Sequence, residues 1–437
     1  MDKIKFFLLF FVLFGMFEFI PNTDLLCSAG ELKVGVAKID ITPPVGIKLR
    51  GGYGKRDTLP SQGLIDPLYI RILVLDVNGY RVGIMACDLI GYSNKNILDI
   101  AKERFNISHL LICSAHLHSG PNLDAEDSQS YARSLEKNMI DGLDRALKNM
   151  FPARISAGSA AFPQLGFNRL VMRDDGHARA LFRTEDRIPY GPVDPEAGVI
   201  KIEDMNGNPR VILMTYACHP VVNFVNYEIS ADYPGAATKK VEDEFGKNTV
   251  CMFVQGGGAN IDPLFMNLPR NGPNDTVKTD YGLKEKMGGI LANEVIKVVK
   301  SLQRPSDGET TLKAMCDSLK FTGRFDKTIN YNMHFTTILI NNSIAIATMF
   351  SEPFVQHQLY WKEHAEVAHP FFFGYTYSSG GNYPGYVPDI KSAAYGGYGA
   401  DDNIKRIEVG AGEAVMNKQL ENLYRLREVM RNSPGPP

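Results

Sequence analysis

The chain has 437 residues, 44% of them hydrophobic and 22% charged, with a formal net charge of -2. That composition excludes a disordered chain, which lacks the apolar surface to offset ordering entropy. It also excludes an electrostatic nucleic-acid binder, which needs a basic surplus, and the length allows several domains or one large domain with long loops.

In chain order, residues 1–5 (MDKIK) carry two lysines, and the apolar run FFLLFFVLFGM follows. A basic start, a short apolar run and small residues at Cys27-Ser28-Ala29 predict a signal peptide over 1–29. Glu18 interrupts the run, which is then short for a span of about 20 apolar residues. The mature domain is expected over 30–437, secreted or periplasmic, with an uncleaved anchor as the alternative. Five cysteines remain, four in apolar runs, so they read as buried strand residues and not as a disulfide framework.

LKVGVAKIDI alternates as a strand, and YIRILVLDV with NGYRVGIMAC predicts a hairpin around Asn78-Gly79. Residues 94–104 read as a helix, HLLICSA as a buried strand, and 131–149 as a helix by apolar spacing. ARISAGSAAF, VILMTYACHP and TVCMFVQG read as strands, 280–302 as a helix, SIAIATMFSEPF as a strand and EAVMNKQLENLYRLREVM as a helix. The loop-rich stretches 165–198 and 374–402 are too long to be idle connectors. Strands and helices alternate without a low-complexity linker. The expected fold class is therefore α/β: a single large catalytic domain with mixed β-sheets flanked by helices and long loops.

Four segments carry candidate chemistry. Ser114-Ala115-His116-Leu117-His118-Ser119-Gly120-Pro121 follows the strand HLLIC. In extended backbone His116 and His118 project to one face, which suits metal binding or proton transfer. His219 follows the strand VILMTYAC, and Glu352 follows SIAIATMF, where a carboxylate is costly unless it is paired or bound to metal. Gly256-Gly257-Gly258 before Asp262-Pro263 allows close backbone approach, and no Gly-Lys-Ser/Thr follows to make a phosphate loop.

These segments together resemble the catalytic domain of the neutral ceramidases, zinc-dependent amidases that cleave the N-acyl bond of ceramide. The resemblance starts at GVAKIDITPP (35–44) and passes through Asp66-Pro67-Leu68-Tyr69, HLHSGP, Phe167-Asn168-Arg169, ACHP, the glycine turn, the Glu352 segment and Asn382-Tyr383-Pro384-Gly385-Tyr386-Val387. It implies one zinc held by His116, His219, Glu352 and Tyr386. It places His118, for proton transfer, and Arg169, for a developing oxyanion, beside the metal, with Tyr395 as a further active-site tyrosine. Two departures from the family pattern are visible. Asp262 stands where the family carries a serine proposed as nucleophile, so water activated by zinc, with Asp262 moving a proton, becomes the implied route. About 35 residues follow Asp402, where ceramidases carry a further β-sandwich domain.

The leading expectation is a secreted zinc hydrolase acting on an amide of a small-molecule or lipid substrate, with peripheral membrane contact and no nucleic-acid partner. The alternatives are a zinc hydrolase acting on a carbohydrate and a non-catalytic zinc-binding homologue.

Overall fold

The structure, a computed structural model, describes residues 26–162, 165–182, 184, 186–266, 280–305 and 308–431. Most of the expected signal peptide and the SPGPP tail lie outside the described residues. Leu26–Gly30 is a strand paired antiparallel with Thr310–Ala314, so the expected cleavage position falls inside a paired segment.

Two mixed sheets form the framework. The larger has nine strands, in the order Val250–Gln255, Pro209–Tyr216, Glu196–Asp204, Phe151–Ala161, Leu32–Asp40, Tyr69–Val77, Tyr80–Cys87, His109–Ser114 and Thr376–Tyr377. The smaller has five, ordered Leu26–Gly30, Thr310–Thr322, Asn330–Ile340, Ile344–Thr348 and His369–Phe373. The Asn78-Gly79 hairpin forms as expected, with both turn residues at positive φ between paired Val77 and Tyr80.

Side-chain alternation makes these sheets the inner layers of a helix–sheet–sheet–helix arrangement. Ile70, Ile72 and Val74 face the helices Lys95–Phe105, Gln129–Lys148, Asp232–Phe245 and Gly282–Ser301. Leu73, Leu75 and Val77 face the other way and pack with Leu312, Ile338 and Ile346 of the smaller sheet. On the smaller sheet Ile344 and Ile346 point to the other sheet, while Ala345 and Ala347 pack with Trp361 and Val415 of the outer helices. Both faces are covered, which is why these strands read as continuous apolar runs. Among the described residues no helix is long and apolar enough to cross a membrane.

His109–Ser114 and Val250–Gln255 stand near opposite ends of the strand order, yet one segment joins them. Gly374 N donates to Gln255 O at 3.0 Å, and Ser114 N donates to Tyr375 O at 3.2 Å. The sheet therefore closes on itself at the carboxyl ends of these strands, where ligand sites of α/β sheets form.

Candidate metal centre

Each histidine of the centre sits just past a strand end. His116, two residues beyond His109–Ser114, adopts φ +67°, the left-handed region that non-glycine residues seldom occupy. His118 follows two residues later, and His219 follows Pro209–Tyr216. Glu352 does not continue the strand predicted through SIAIATMFSEPF. That strand ends at Thr348, and Glu352-Pro353 forms a separate short pair with Tyr386-Val387, Glu352 opposite Tyr386.

Each ring is fixed the same way. His116 Nδ1 lies 2.7 Å from Ile90 O, His118 Nδ1 2.7 Å from Gly51 O, and His219 Nδ1 2.7 Å from Gly258 O. A carbonyl can only accept, so each Nδ1 carries the proton and each Nε2 presents a lone pair. The three imidazoles each offer an atom within 4.8 Å of the others. All three Nε2 atoms are buried without a partner, as is Glu352 Oε2. His116 Nε2 lies 3.4 Å and His219 Nε2 3.9 Å from that oxygen. Lone pairs facing lone pairs in a buried site are mutually unfavourable and call for a cation. Three neutral imidazoles and a carboxylate, each ring held by a second hydrogen bond, are a donor set that fits zinc.

The electrostatics agree. Burial, with His116 alongside, lowers His118 to about 3. Burial, then Arg169 and the neighbouring histidines, holds His219 well below its ordinary value. Burial would raise Glu352, but His116, His118 and a bond from Tyr386 bring it down to about 2. The site is thus poised with neutral His118 and His219 beside an ionised carboxylate.

The glycine turn supplies an anchor. A Cβ on Gly258, whose carbonyl holds His219, would lie 2.9 Å from Cys218 N, so only glycine lets the turn approach this strand end. Gly166–Asn168 pairs with Ile261–Pro263, which brings Arg169 to Asp262. Arg169 bonds Asp262 Oδ1 at 3.1 Å and donates to Tyr386 Oη at 3.0 Å. Both ions are buried; Arg169 Nε and Asp262 Oδ2 keep no partner. Burial raises Asp262, and Arg169 opposes that rise.

The structure thus gathers His116, His118, His219 and Glu352, with Tyr386 linking Glu352 to Arg169 and Asp262. His118, expected beside the metal, stands among the converging imidazoles. Tyr386, expected as a ligand, accepts from Arg169 and bonds Glu352. Tyr395 is not gathered: it closes the helix Ile390–Tyr395 with its side chain exposed. Tyr398, three residues on, takes that neighbourhood, its ring 4.8 Å from the Arg169 guanidinium and 5.5 Å from Tyr386. Tyr375, not singled out by the sequence, lies 4.3 Å from the His116 ring at φ +54°, its hydroxyl buried and unpartnered. Tyr383 bonds Glu352. The signal for both was the tyrosine-rich stretch 374–402, whose residues could not be ranked by pattern. A cleft of about 390 Å³ opens beside His116 and Glu352, walled by Tyr92, Leu123, Phe350, Tyr375 and Tyr383.

No family model matches the chain. Neutral ceramidase B of Dictyostelium discoideum is 25% identical over 216 residues, covering 43% of this chain and 29% of that protein. The match therefore spans less than a third of that relative. Neutral ceramidase from Pseudomonas aeruginosa superposes with a TM-score of 0.71 at 15% identity, over 93% of this chain and 76% of that one. The chain shares the fold of that neutral ceramidase. Ceramidase complexed with C2 superposes with a TM-score of 0.72 at 15% identity, over 93% of this chain and 77% of that one. In this ceramidase-like fold the converging imidazoles lie where the closed sheet meets the stretch 374–402. Both long loop stretches contribute: 165–198 carries Arg169, and 374–402 carries Tyr375, Tyr383, Tyr386 and Tyr398.

Proposed function

We propose that the chain is a zinc-dependent hydrolase that cleaves the amide bond of an N-acyl lipid, ceramide or a close relative. One observation carries the reading: three buried imidazole nitrogens lie within 4.8 Å of one another, two of them 3.4 and 3.9 Å from the Glu352 carboxylate oxygen, beside an aromatic-walled cleft. The relatives supply the substrate class, since those it resembles are ceramidases by name. The apolar walls suit an acyl chain.

His116, His219 and Glu352 would hold the metal, with His118 as a further imidazole donor and Tyr386 at its edge. Bound there, zinc supplies Lewis-acid polarisation of the acyl carbonyl and a lowered pKa for water, towards ~7. The chain's own residues do the rest. Arg169 is held by Asp262 and Tyr386 and keeps its buried Nε–H free for the oxygen that gains charge as water adds to the carbonyl carbon. Asp262 Oδ2 has no other partner; it takes the proton that the water loses as it adds to the carbonyl carbon and gives it to the departing nitrogen when the C–N bond breaks. A carboxylate cannot replace the family's serine as an alkoxide, so this route runs by water and forms no acyl-enzyme.

The test is release of fatty acid from N-acyl sphingosines by the purified chain, with zinc content measured on the same sample. Release is expected in the wild type and absent from a folded His116→Ala, His219→Ala variant. Unchanged release in that variant contradicts the proposal.

A further inference from the structure

The segment Gly51-Gly52-Tyr53-Gly54-Lys55-Arg56-Asp57 supplies the Gly51 carbonyl that anchors the His118 ring, and its Tyr53 and Arg56 also reach that residue. We infer that this loop is a clamp that fixes the His118 ring, with Arg56 as its positioning residue. The inference rests on the reading of His118 as facing the metal.

The loop holds His118 at two places. The ring donates from Nδ1 to Gly51 O at 2.7 Å, and Arg56 Nη2 donates to the His118 carbonyl at 2.6 Å. Backbone and imidazole are thus tied to one seven-residue segment. The Tyr53 ring lies 5.6 Å from the His118 ring, backed by Phe224 at 4.9 Å and covered by the Arg56 guanidinium at 4.8 Å. His116 and His219 are also tied at ring and backbone, by Ile90 with Leu89 and by Gly258 with Ile261, but through main-chain carbonyls and without a buried arginine.

The loop is itself shaped for the task. Asp57 Oδ2 accepts from the amides of Gly51, Gly52 and Tyr53 at 3.0, 2.7 and 3.3 Å, curling the chain around its own carboxylate. The same carboxyl lies 3.2 Å from Arg56 Nε and balances the charge of an arginine only 3% exposed. A Cβ on Gly51 would stand 2.2 Å from Arg56 Nη2 and 2.6 Å from the His118 carbonyl oxygen, so the clamp closes only on glycine. A buried cation spent on a backbone carbonyl beside a candidate ligand is costly unless ring placement matters. Outer partners of this kind set metal affinity by roughly 10–100-fold.

The test uses the full chain with its histidines labelled with nitrogen-15. In the metal-free wild type His118 is expected in one fixed tautomer with the proton on Nδ1. Arg56→Ala should give an averaged His118 ring signal while His219 stays fixed, with zinc affinity lowered roughly 10–100-fold. Arg56→Lys, which keeps a charged donor, should restore part of both. If Arg56→Ala does not fold, Gly51→Ala is read the same way, since it pushes the loop off His118 without removing a charge. An unchanged His118 signal in these variants overturns the clamp, and so does an equal loosening of all three histidines. A wild type that shows the fixed tautomer but takes up no zinc supports the clamp and refutes the metal reading, so the two failures are distinguishable.

Discussion

One strand of the larger sheet has histidines at both ends, and the two ends differ in what the rings can do. His109 opens the strand. Its Nδ1 lies 3.0 Å from Cys316 Sγ, which also contacts Thr336 Oγ1, and burial lowers it to about 4. His116 and His118 follow the other end, with His118 lowered to about 3 by burial. All three rings carry a buried Nε2 without a partner. Burial and a lowered pKa therefore do not distinguish a ligand from a packed histidine. Convergence does: at the carboxyl end each Nδ1 proton is spent on a carbonyl, the three imidazoles gather within 4.8 Å of one another, and two of their Nε2 atoms face one carboxylate oxygen. At the amino end the ring meets a neutral thiol, and no second imidazole or carboxylate is among its bonded neighbours.

The comparison can be broken by experiment. The largest effect is expected from His116→Ala or His219→Ala, which should abolish zinc retention and N-acyl hydrolysis, while His109→Ala keeps both; metal analysis with the fatty-acid assay checks this. Next, Asp262→Ala leaves Arg169 buried without its counter-charge. It should cost roughly 3–5 kcal/mol in denaturant unfolding, a loss that the exposed Arg425–Glu421 pair, removed as a control, should not reproduce. Gly258→Ala pushes the glycine turn that anchors His219 away from Cys218 and should weaken zinc binding by about 10–100-fold in a chelator competition.

The smallest effect belongs to the amino end. His109 has an ordinary value of 6.5 and titrates near 4 when folded, so between these pH values the unfolded chain binds the extra proton. Its contribution is complete above about 6.5 and is lost as pH falls towards 4. His109→Phe should flatten that part of the stability–pH curve and leave activity at neutral pH unchanged, as read from denaturant midpoints.

The periodic elements were legible because each has one simple environment. The Asn78-Gly79 hairpin, the Lys95–Phe105 and Gln129–Lys148 helices and the doubly covered strands all announce themselves by period or by an apolar run. The helix Val355–His364 does not, because its buried face carries His357 and Gln358, whose use depends on distant partners. Gln358, for example, accepts from Gly257 N and donates to Asp194. The same limit applies to the centre. His116, His118, His219 and Glu352 were readable as polar residues at strand ends. Tyr398 in place of Tyr395, and Tyr375 against His116, depend on how the 374–402 stretch folds back across the closed sheet, which no local pattern encodes.

Zinc K-edge X-ray absorption on the purified full chain tests the central claim most directly. The account predicts one zinc per chain with imidazole nitrogens at about 2.0–2.1 Å and no sulfur neighbour, lost in His116→Ala, His219→Ala. A protein that retains no zinc, or zinc ligated by sulfur, or zinc that survives the double substitution, would contradict it.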